Sequence, residues 1–372
     1  MTDSARPAPR FDWFVPIDGD GAHIGTLRAE RPPTFSYLRD VVQRAEALGY
    51  YSLLIPTRFA NGLFESRAPL AETWTTATAL AAVTERIRFL IAVRPGFIAP
   101  GLFAQMAATL DNLSAGRIDL NLVPGGIQGD FERLGVATSH GERYALAGEF
   151  IEACRALWAA PEPVSFEGTD IRLDGALVSP GPSGDPQWYL GGASEAALSL
   201  AAQQADTLLM WIQPQEAIAA LIERARAAGE RAGRSFSLGL RTHLVVRAHE
   251  DEAWDAASEL LSQAAGVVQA ERRAASGGTS AVGVRAQVAQ HDDHRVGRHL
   301  WNGISTVRVN CGTAIVGTPT QVANELLGYW RLGVDEFILS GFPHLEECER
   351  VATEVLPLIR AAIQEEASDS PA

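Results

Sequence analysis

Arg241 and His243 are the two residues whose types and spacing point most directly to chemistry. They stand two positions apart in an apolar run, Ser237–Val246, which predicts a strand, so both side chains point to the same face. Burying an arginine and a histidine on the inner face of a strand is costly unless an anion accompanies them. Two interpretations follow: a pocket for a small anion, or a buried ion pair with an acidic neighbour.

Two other segments carry groups suited to anions. The Gly-Gly-Ala-Ser segment at residues 191–194 closes a predicted strand and opens a helix. Its amides and hydroxyl can receive a phosphate at a helix N-terminus, and the same residues are equally suited to capping the helix. Arg308 precedes the small-residue segment 309–313, where a backbone can approach a ligand closely. It either swings over a bound anion or is an ordinary solvated arginine.

Several well-known catalytic and metal-binding motifs are missing from the sequence. The Asp-Gly-Asp-Gly run at residues 18–21 lacks the ligand spacing of an EF-hand, and the eight histidines include no HExxH pair. Cys154, Cys311 and Cys348 form no CxxC pair, and no GxSxG elbow is present. We therefore predict no metal site and no disulfide framework.

These residues must be positioned by a repeated alternation of strands and helices. Apolar runs occur at residues 11–17, 51–56, 88–93, 118–123, 188–193, 207–212, 237–246 and 336–341, with helical patterns between them. Each run is almost continuously apolar, as in a parallel strand buried on both faces. Eight such units predict an α/β fold of the TIM (β/α)₈ barrel type, and no GxGxxG follows the first strand to favour a doubly wound sheet.

In a barrel of this type the active site lies at the C-terminal ends of the strands. Polar or aromatic residues stand at few of these ends. Asp18 follows the first predicted strand, Trp211 closes the sixth, and Phe342 and His344 follow the eighth. These four residues therefore join Arg241 and His243 as candidates.

Two stretches interrupt the alternation. Residues 166–173 predict an extra extended piece, and residues 264–307 are too long for a simple connection. The longer stretch is polar and holds His291, His294 and His299. We interpret it as a mobile lid over the barrel, the alternative being a disordered insertion. Residues 1–10 and 365–372 predict flexible tails, which leaves residues 11–364 as a single domain.

The composition narrows the possible partners and location. The 372 residues include 31 basic and 45 acidic ones, a formal net charge of −14, which opposes nonspecific binding of nucleic acid. No run of eighteen apolar residues and no signal-peptide pattern occurs in the sequence. We therefore predict a cytoplasmic protein with neither nucleic-acid nor membrane partners.

Nine short runs recur in the order found in one enzyme family, from about residue 11 to 360. They are FVPIDGDG (14–21), LIPT (54–57), AATLD (107–111), ERY (142–144), GGAS (191–194), RTH (241–243), LWNG (300–303), GTAIVG (312–317) and SGFPHLEE (340–347). Each run is a weak signal alone, and the ordered set is a strong one. With it, the chain resembles the FMNH₂-dependent alkanesulfonate monooxygenases of the bacterial-luciferase-like group.

The resemblance implies a two-component flavin monooxygenase. A separate NAD(P)H-dependent FMN reductase supplies reduced FMN, O₂ adds to it, and the flavin peroxide oxygenates an organosulfonate, whose C–S bond breaks to give sulfite and an aldehyde. The flavin supplies the difficult chemistry and the protein supplies position and charge. A homo-oligomer, a dimer or a tetramer, is also expected.

The resemblance also implies roles for eight residues. It implies catalytic roles for Trp211, Arg241, His243, Arg308 and His344, and cofactor binding by Tyr144, Ala193 and Ser194. We expect Asp18, Arg241, Arg308 and Phe342 to bind an anionic small-molecule substrate. A permanently charged, forked arginine suits an oxyanion, and histidine suits proton transfer near neutral pH.

The chain also departs from the family pattern. Asp18 and Phe342 stand where the family often has His and Tyr, Pro124 replaces a common Thr, and Leu70 replaces a Cys after an insertion at residues 58–69. A pocket changed in this way should prefer another substrate than simple alkanesulfonates. Two alternatives stay open: an oxygenase acting on a sulfone or a nitrogen heterocycle in secondary metabolism, and a non-catalytic flavin-binding barrel.

Overall fold

Eight parallel strands hydrogen-bond to one another in a closed ring. The computed structural model describes residues 6–125, 134–135, 139–277 and 294–369. In ring order the strands are β1 (Arg10–Phe14), β2 (Ser52–Ile55), β3 (Arg88–Val93), β4 (Ile118–Leu122), β7 (Trp188–Gly191), β8 (Thr207–Trp211), β9 (Ser237–Val246) and β12 (Glu336–Ser340), which pairs again with β1. The closed ring confirms the predicted TIM-type barrel.

Helices surround the ring on its outer side. They are α1 (Phe35–Ala47), α2 (Thr73–Ala81), α3 (Pro100–Leu113), α4 (His140–Ala159), α5 (Glu195–Gln204), α6 (Gln215–Ala232), α7 (Glu250–Leu261), α8 (Gly266–Gly277), α9 (Pro319–Leu332), α10 (His344–Arg350) and α11 (Leu356–Asp369). Gly49 and Gly116 follow α1 and α3 with φ of 78° and 79°, a conformation that glycine adopts without strain. No helix of the described residues is long and apolar enough to cross a membrane.

The interior of the barrel is layered. Inward side chains near the middle of the strands form an apolar cluster of Phe14, Leu54, Leu90, Tyr189, Leu209 and Ile338. Below it, at the N-terminal ends of the strands, lie buried charges such as Asp12 and Glu336. Above it, at the C-terminal ends, the barrel opens into the pocket described below. The apolar cluster therefore forms a packed floor, as side-chain layers do in barrels of this type.

A second apolar core covers one side of the barrel mouth. It packs α7 and α8 against the insertion at residues 58–69 and against the turn at Gly303–Thr306. Beside it, β11 (Ala314–Gly317) extends the sheet beyond β9, and β10 (Leu300–Trp301) pairs antiparallel with β11. The predicted lid therefore contains a helix and a short strand. Residues 278–293, with His291, lie outside the described residues, and the mobility of the lid stays a prediction.

Two boundaries predicted from the sequence are misplaced. Arg10 begins β1, and Arg6 forms a 2.8 Å ion pair with Asp335. At the other end α11 continues to Asp369. The fold therefore extends past the predicted limits of 11 and 364. The expected extended piece is confirmed as the hairpin β5 (Val164–Glu167) and β6 (Arg172–Ala176).

A substitution at Gly312 tests how tightly the segment that carries Arg308 packs. A Cβ atom at this position would lie 2.6 Å from the backbone nitrogen and Cα of Ser305, so a Gly312→Ala variant must displace backbone. We expect a loss of about 1–3 kcal/mol in the free energy of unfolding, typical of overpacking, measured by urea denaturation. Gly141→Ala is the control, because Gly141 lies in α4 with no heavy atom within 4 Å of its Cβ position. Equal stability of the two variants would contradict the tight packing.

Candidate active site

The C-terminal ends of the barrel strands surround one pocket with two chemically different ends. Phe14, Leu54, Leu209 and Ile338 of the apolar cluster form part of its lining. Tyr144 and residues 191–194 line the pocket, as do the four arginines 58, 94, 241 and 308. The pocket thus combines an apolar floor with hydroxyl, amide and guanidinium donors, the composition expected of a ligand site.

Arg241 lies on β9 and is held against the floor of the pocket. Its Nη2 donates to the Oγ of Ser340 at 2.8 Å, and its Nη1 donates to the carbonyl oxygens of Thr242 and, at 3.4 Å, of Ile338. Its guanidinium carbon is 4.6 Å from the centre of the Phe14 ring. These contacts fix the group while only 4 % of the residue is exposed.

Arg308 places a second guanidinium over the same phenyl ring. Its guanidinium carbon is 5.2 Å from the ring centre of Phe14. Within the described part of the chain, its Nε has no hydrogen-bond partner. No carboxylate among the described residues forms an ion pair within 4 Å of Arg241 or Arg308. The geometry therefore favours the anion pocket over the buried ion pair for Arg241.

Burial and mutual repulsion determine the electrostatics of these two residues. Burial lowers the pKa of Arg241 to about 10, with Arg58 adding to the decrease. Burial, together with the charges of Arg58 and Arg241, lowers the pKa of Arg308 to about 9, against the opposing effect of Asp18. Both groups stay cationic at neutral pH, because guanidinium holds its proton in proteins. Two buried cations without a carboxylate partner favour an anionic ligand.

Arg58 is a pocket residue that the sequence analysis missed. It begins the insertion, and its Nε donates to Oδ2 of Asp18 at 2.8 Å. With the Asn310 amide oxygen turned toward it, Nη1 and Nη2 of Arg58 donate to that oxygen at 2.5 and 3.2 Å. Arg58 lies two residues after Pro56, at the C-terminal end of a predicted strand. This position could have identified it as a candidate for the active site.

Asp18 does not line the pocket, which corrects its predicted role in substrate binding. Its Oδ1 accepts the backbone N–H of Gly62 at 3.0 Å, and its other oxygen accepts from Arg58. Only 1 % of the residue is exposed. Asp18 therefore anchors the insertion and orients Arg58, because both carboxylate oxygens are engaged there.

Tyr144 and Ser194 form the other end of the pocket. Ser194 caps α5, and its Oγ accepts the backbone N–H of Ala197 at 3.3 Å. The cap uses the Ser194 oxygen as an acceptor and does not use its hydroxyl proton, so capping and ligand binding are compatible. Burial raises the pKa of Tyr144, against the opposing effect of a hydrogen bond with Ser194, so the phenol is a donor at neutral pH. Ala193 and Trp211 also line the pocket, as predicted.

His243 lies on the same face of β9 as Arg241, as predicted, but it does not line the pocket. Its Nε2 lies 3.0 Å from the carbonyl oxygen of Cys311, and its Nδ1 lies 2.7 Å from the Oγ of Ser340. Burial, together with the charges of Arg241 and Arg308, holds the pKa of His243 well below its usual range. The ring is thus neutral: Nε2–H donates to Cys311, and Ser340 donates to Nδ1. His243 positions Arg241 through Ser340 and is misplaced for catalysis.

Phe342 and His344 also lie behind the pocket, which corrects their predicted roles. The Phe342 ring stacks on His243 at 5.4 Å and meets His344 edge-on at 4.9 Å. His344 Nδ1 lies 3.1 Å from Oδ1 of Asp20, and 1 % of the residue is exposed. Both residues turn away because the chain enters α10 directly after β12.

The pocket fits a flavin in its distribution of donors and acceptors. Among the described residues, the Oδ1 of Asn121 and the Nε of Arg308 lack partners although both side chains line the pocket. A flavin ring offers an N–H group to the first, and an oxyanion satisfies the second. Tyr144 and Ser194 suit the phosphate. No cluster of three or more His, Cys, Asp or Glu side chains suited to a metal occurs in the described residues.

Comparison with known proteins adds a family match and several structural likenesses. The family model described as luciferase-like monooxygenase matches residues 10–336. A riboflavin lyase, RcaE, solved with modified FMN and riboflavin, superposes with a TM-score of 0.76 at 19 % identity, over 96 % of this chain and 92 % of that one.

Two further solved structures are similar at low identity. EDTA monooxygenase from Chelativorans sp. BNC1 gives a TM-score of 0.72 at 18 % identity, covering 97 % of this chain and 98 % of that one. An F420-dependent secondary alcohol dehydrogenase, bound to an F420–acetone adduct, gives a TM-score of 0.69 at 17 % identity, covering 95 % of this chain and 100 % of that one. At these identities the likeness shows the shared barrel fold, which elsewhere holds FMN or F420.

The neutral state of His243 predicts a pH dependence of stability. The pKa of this group is lowered in the folded protein, so the unfolded chain binds the extra proton below about pH 6.5, the ordinary value for histidine. The contribution of His243 to the free energy of unfolding is present above that pH and is lost as the pH falls, by up to about 1.4 kcal/mol per pH unit. We expect urea denaturation to show that the free energy of unfolding falls less between pH 8 and pH 5.5 for His243→Gln than for the unmodified chain.

His23 serves as the control for this experiment. Hydrogen bonds with Glu259 and Glu30 raise its pKa, so its contribution is present at low pH and declines as the pH rises. For a His23→Gln variant, the free energy of unfolding should therefore fall more between pH 8 and pH 5.5 than it does for the unmodified chain. Identical slopes for His243→Gln and the unmodified chain would mean that His243 takes up a proton in the folded protein.

Proposed function

Because the chain belongs to the luciferase-like monooxygenase family, we propose that it is an FMNH₂-dependent monooxygenase of a two-component system that acts on an organosulfonate. The products are sulfite and an aldehyde, formed as the C–S bond breaks. The observation that carries the proposal is the pair of buried cations, Arg241 and Arg308, in one pocket with a phosphate-type site at Tyr144 and Ser194.

The cofactor end of the pocket holds the flavin by its phosphate and its ring. Tyr144 donates its phenol proton and Ser194 its hydroxyl proton to the phosphate, while the N-terminus of α5 adds backbone N–H groups. Trp211 and the apolar floor face the ring system, and the Asn121 amide oxygen accepts a ring N–H. When bound and reduced, FMN supplies the activation of O₂ that no side chain provides.

The arginine end binds the substrate anion and keeps it oriented. Arg241 and Arg308 each present donors to the sulfonate, whose negative charge replaces the carboxylate partner that neither has among the described residues. Charge-assisted hydrogen bonds of this kind are stronger in a buried site, where water does not compete. The apolar floor excludes water from the reacting centre.

Two considerations support this choice over the alternatives. One similar structure is that of an EDTA monooxygenase, and EDTA is a polyanion, so an anionic substrate is compatible with this fold. A neutral sulfone or heterocycle would leave both guanidiniums without a counter-charge, and a barrel that only stores flavin has no need of them. The separate reductase, the homo-oligomeric state and the cytoplasmic location stay predictions from the sequence.

The dependence on a separate reductase is directly testable. With FMN, NADH and a flavin reductase, we expect O₂ consumption that increases with an added sulfonate and is matched by released sulfite. A panel of sulfonates and sulfones, assayed for sulfite and carbonyl product, identifies the substrate class. The chain alone with NADPH should consume no NADPH. Turnover without reductase would contradict the two-component scheme, and oxidation of a sulfone but no sulfonate would favour the alternative substrate.

An Arg241→Lys variant tests the anion site. Lysine keeps the charge and loses the fork, so one charge-assisted hydrogen bond of about 1.5–3 kcal/mol is lost, and kcat/KM should fall about ten- to a hundred-fold. FMN affinity, measured by fluorescence titration, should change little because Tyr144 and Ser194 hold the phosphate. Arg172→Lys is the control, since Arg172 is exposed on β6 and its one ion pair with the described residues is to Glu167. Unchanged kcat/KM in Arg241→Lys would mean that Arg241 has a structural role alone.

A further inference from the structure

Arg272 is a buried arginine outside the pocket, at the point where three segments meet. It lies on α8 with 6 % of the residue exposed. Its Nη2 donates to the carbonyl oxygens of Asn61, at 3.0 Å, and of Phe64, and its Nε donates to the carbonyl oxygen of Val307 at 3.2 Å. One guanidinium therefore ties α8 both to the insertion and to the turn that precedes Arg308.

The neighbouring side chain reinforces this connection. Glu271 Oε2 accepts the hydroxyl of Ser66 at 2.7 Å and lies 3.7 Å from Nη1 of Arg272. The pair thus holds the insertion through both a side chain and backbone carbonyls, with a carboxylate close to the buried charge. A guanidinium has five N–H donors in a rigid plane, so it reaches acceptors in several directions at once.

Two of the acceptors of Arg272 connect it to pocket arginines. The carbonyl of Val307 belongs to the peptide unit that leads into Arg308. On the other side, the Asn61 amide donates to the carbonyl of Asp18 at 2.7 Å, and Asp18 in turn pairs with Arg58 at 2.8 Å. The positions of Arg58 and Arg308 are therefore linked through a residue that does not line the pocket.

We propose that Arg272 is a positioning residue that sets the separation between Arg58 and Arg308 and thereby selects the size of the anionic group that the pocket accepts. The proposal rests on the anion site of the proposed function. Arg272 acts through backbone carbonyls, so its loss relaxes two guanidiniums together while Arg241, held by Ser340 on β12, stays in place. The phosphate end, built on α4 and α5, is independent of it.

The test compares Arg272→Lys and Arg272→Met with Arg273→Met, a control at an exposed position of the same helix. Binding of methanesulfonate and of the bulkier 2-(N-morpholino)ethanesulfonate is measured by calorimetry on the full chain, with FMN affinity measured separately. We expect Arg272→Met to raise the Kd for methanesulfonate by about tenfold, the effect of losing a hydrogen bond from a charged donor. The ratio of the two Kd values should move toward one, with Arg272→Lys intermediate and FMN affinity within about twofold.

Arg241→Lys separates failure of this proposal from failure of the proposed function. If Arg241→Lys weakens methanesulfonate binding while both Arg272 variants bind as the unmodified chain does, the positioning role is wrong and the anion site stands. If the unmodified chain binds neither sulfonate, or Arg241→Lys binds both as tightly as the unmodified chain does, both proposals are wrong. Should Arg272→Met not fold, Arg272→Lys decides, and an unchanged size preference in that variant overturns the proposal.

Discussion

Two guanidinium groups buried against one phenyl ring are the constraint on which the pocket depends. Arg241 and Arg308 both lie over Phe14, at 4.6 and 5.2 Å, and neither has a carboxylate ion-pair partner among the described residues. Like charges so close in a dry site repel each other. The surrounding structure must therefore hold the two guanidiniums in place in the absence of an anion. Many of the hydrogen bonds around the barrel mouth serve this purpose.

Two separate supports hold the two groups. Arg241 is held from the barrel itself: it donates to Ser340, Ser340 donates to His243, and His243 donates to the carbonyl of Cys311. This chain of hydrogen bonds requires a neutral imidazole, which burial and the two neighbouring cations favour. Arg308 is held from above, by the second apolar core. The site is therefore assembled from the barrel rim and from segments that are distant in sequence.

The two ends of the pocket differ in how general their structures are. The proposed cofactor end has a helix N-terminus and two hydroxyl groups, which are general devices for a phosphate. The proposed substrate end borders the insertion at residues 58–69, which supplies Arg58, and Asp18 forms its ion pair with Arg58 and not with Arg241 or Arg308. The three solved structures compared above share 17–19 % identity with this chain, and in a shared fold specificity is carried by local features of the site.

The sequence by itself determined the eight strands, because each is an almost continuous apolar run buried on both faces, and strand periodicity placed Arg241 and His243 on one face. It did not determine which of them reaches the pocket. β8 pairs with β9 as far as Arg241, and from His243 onward β11 takes its place. His243 is therefore covered by Cys311 and Phe342. Likewise the contact of Asp18 with Arg58 joins residues 40 positions apart. Such contacts depend on how separate segments pack, whereas periodicity records only which side of its own element a residue occupies.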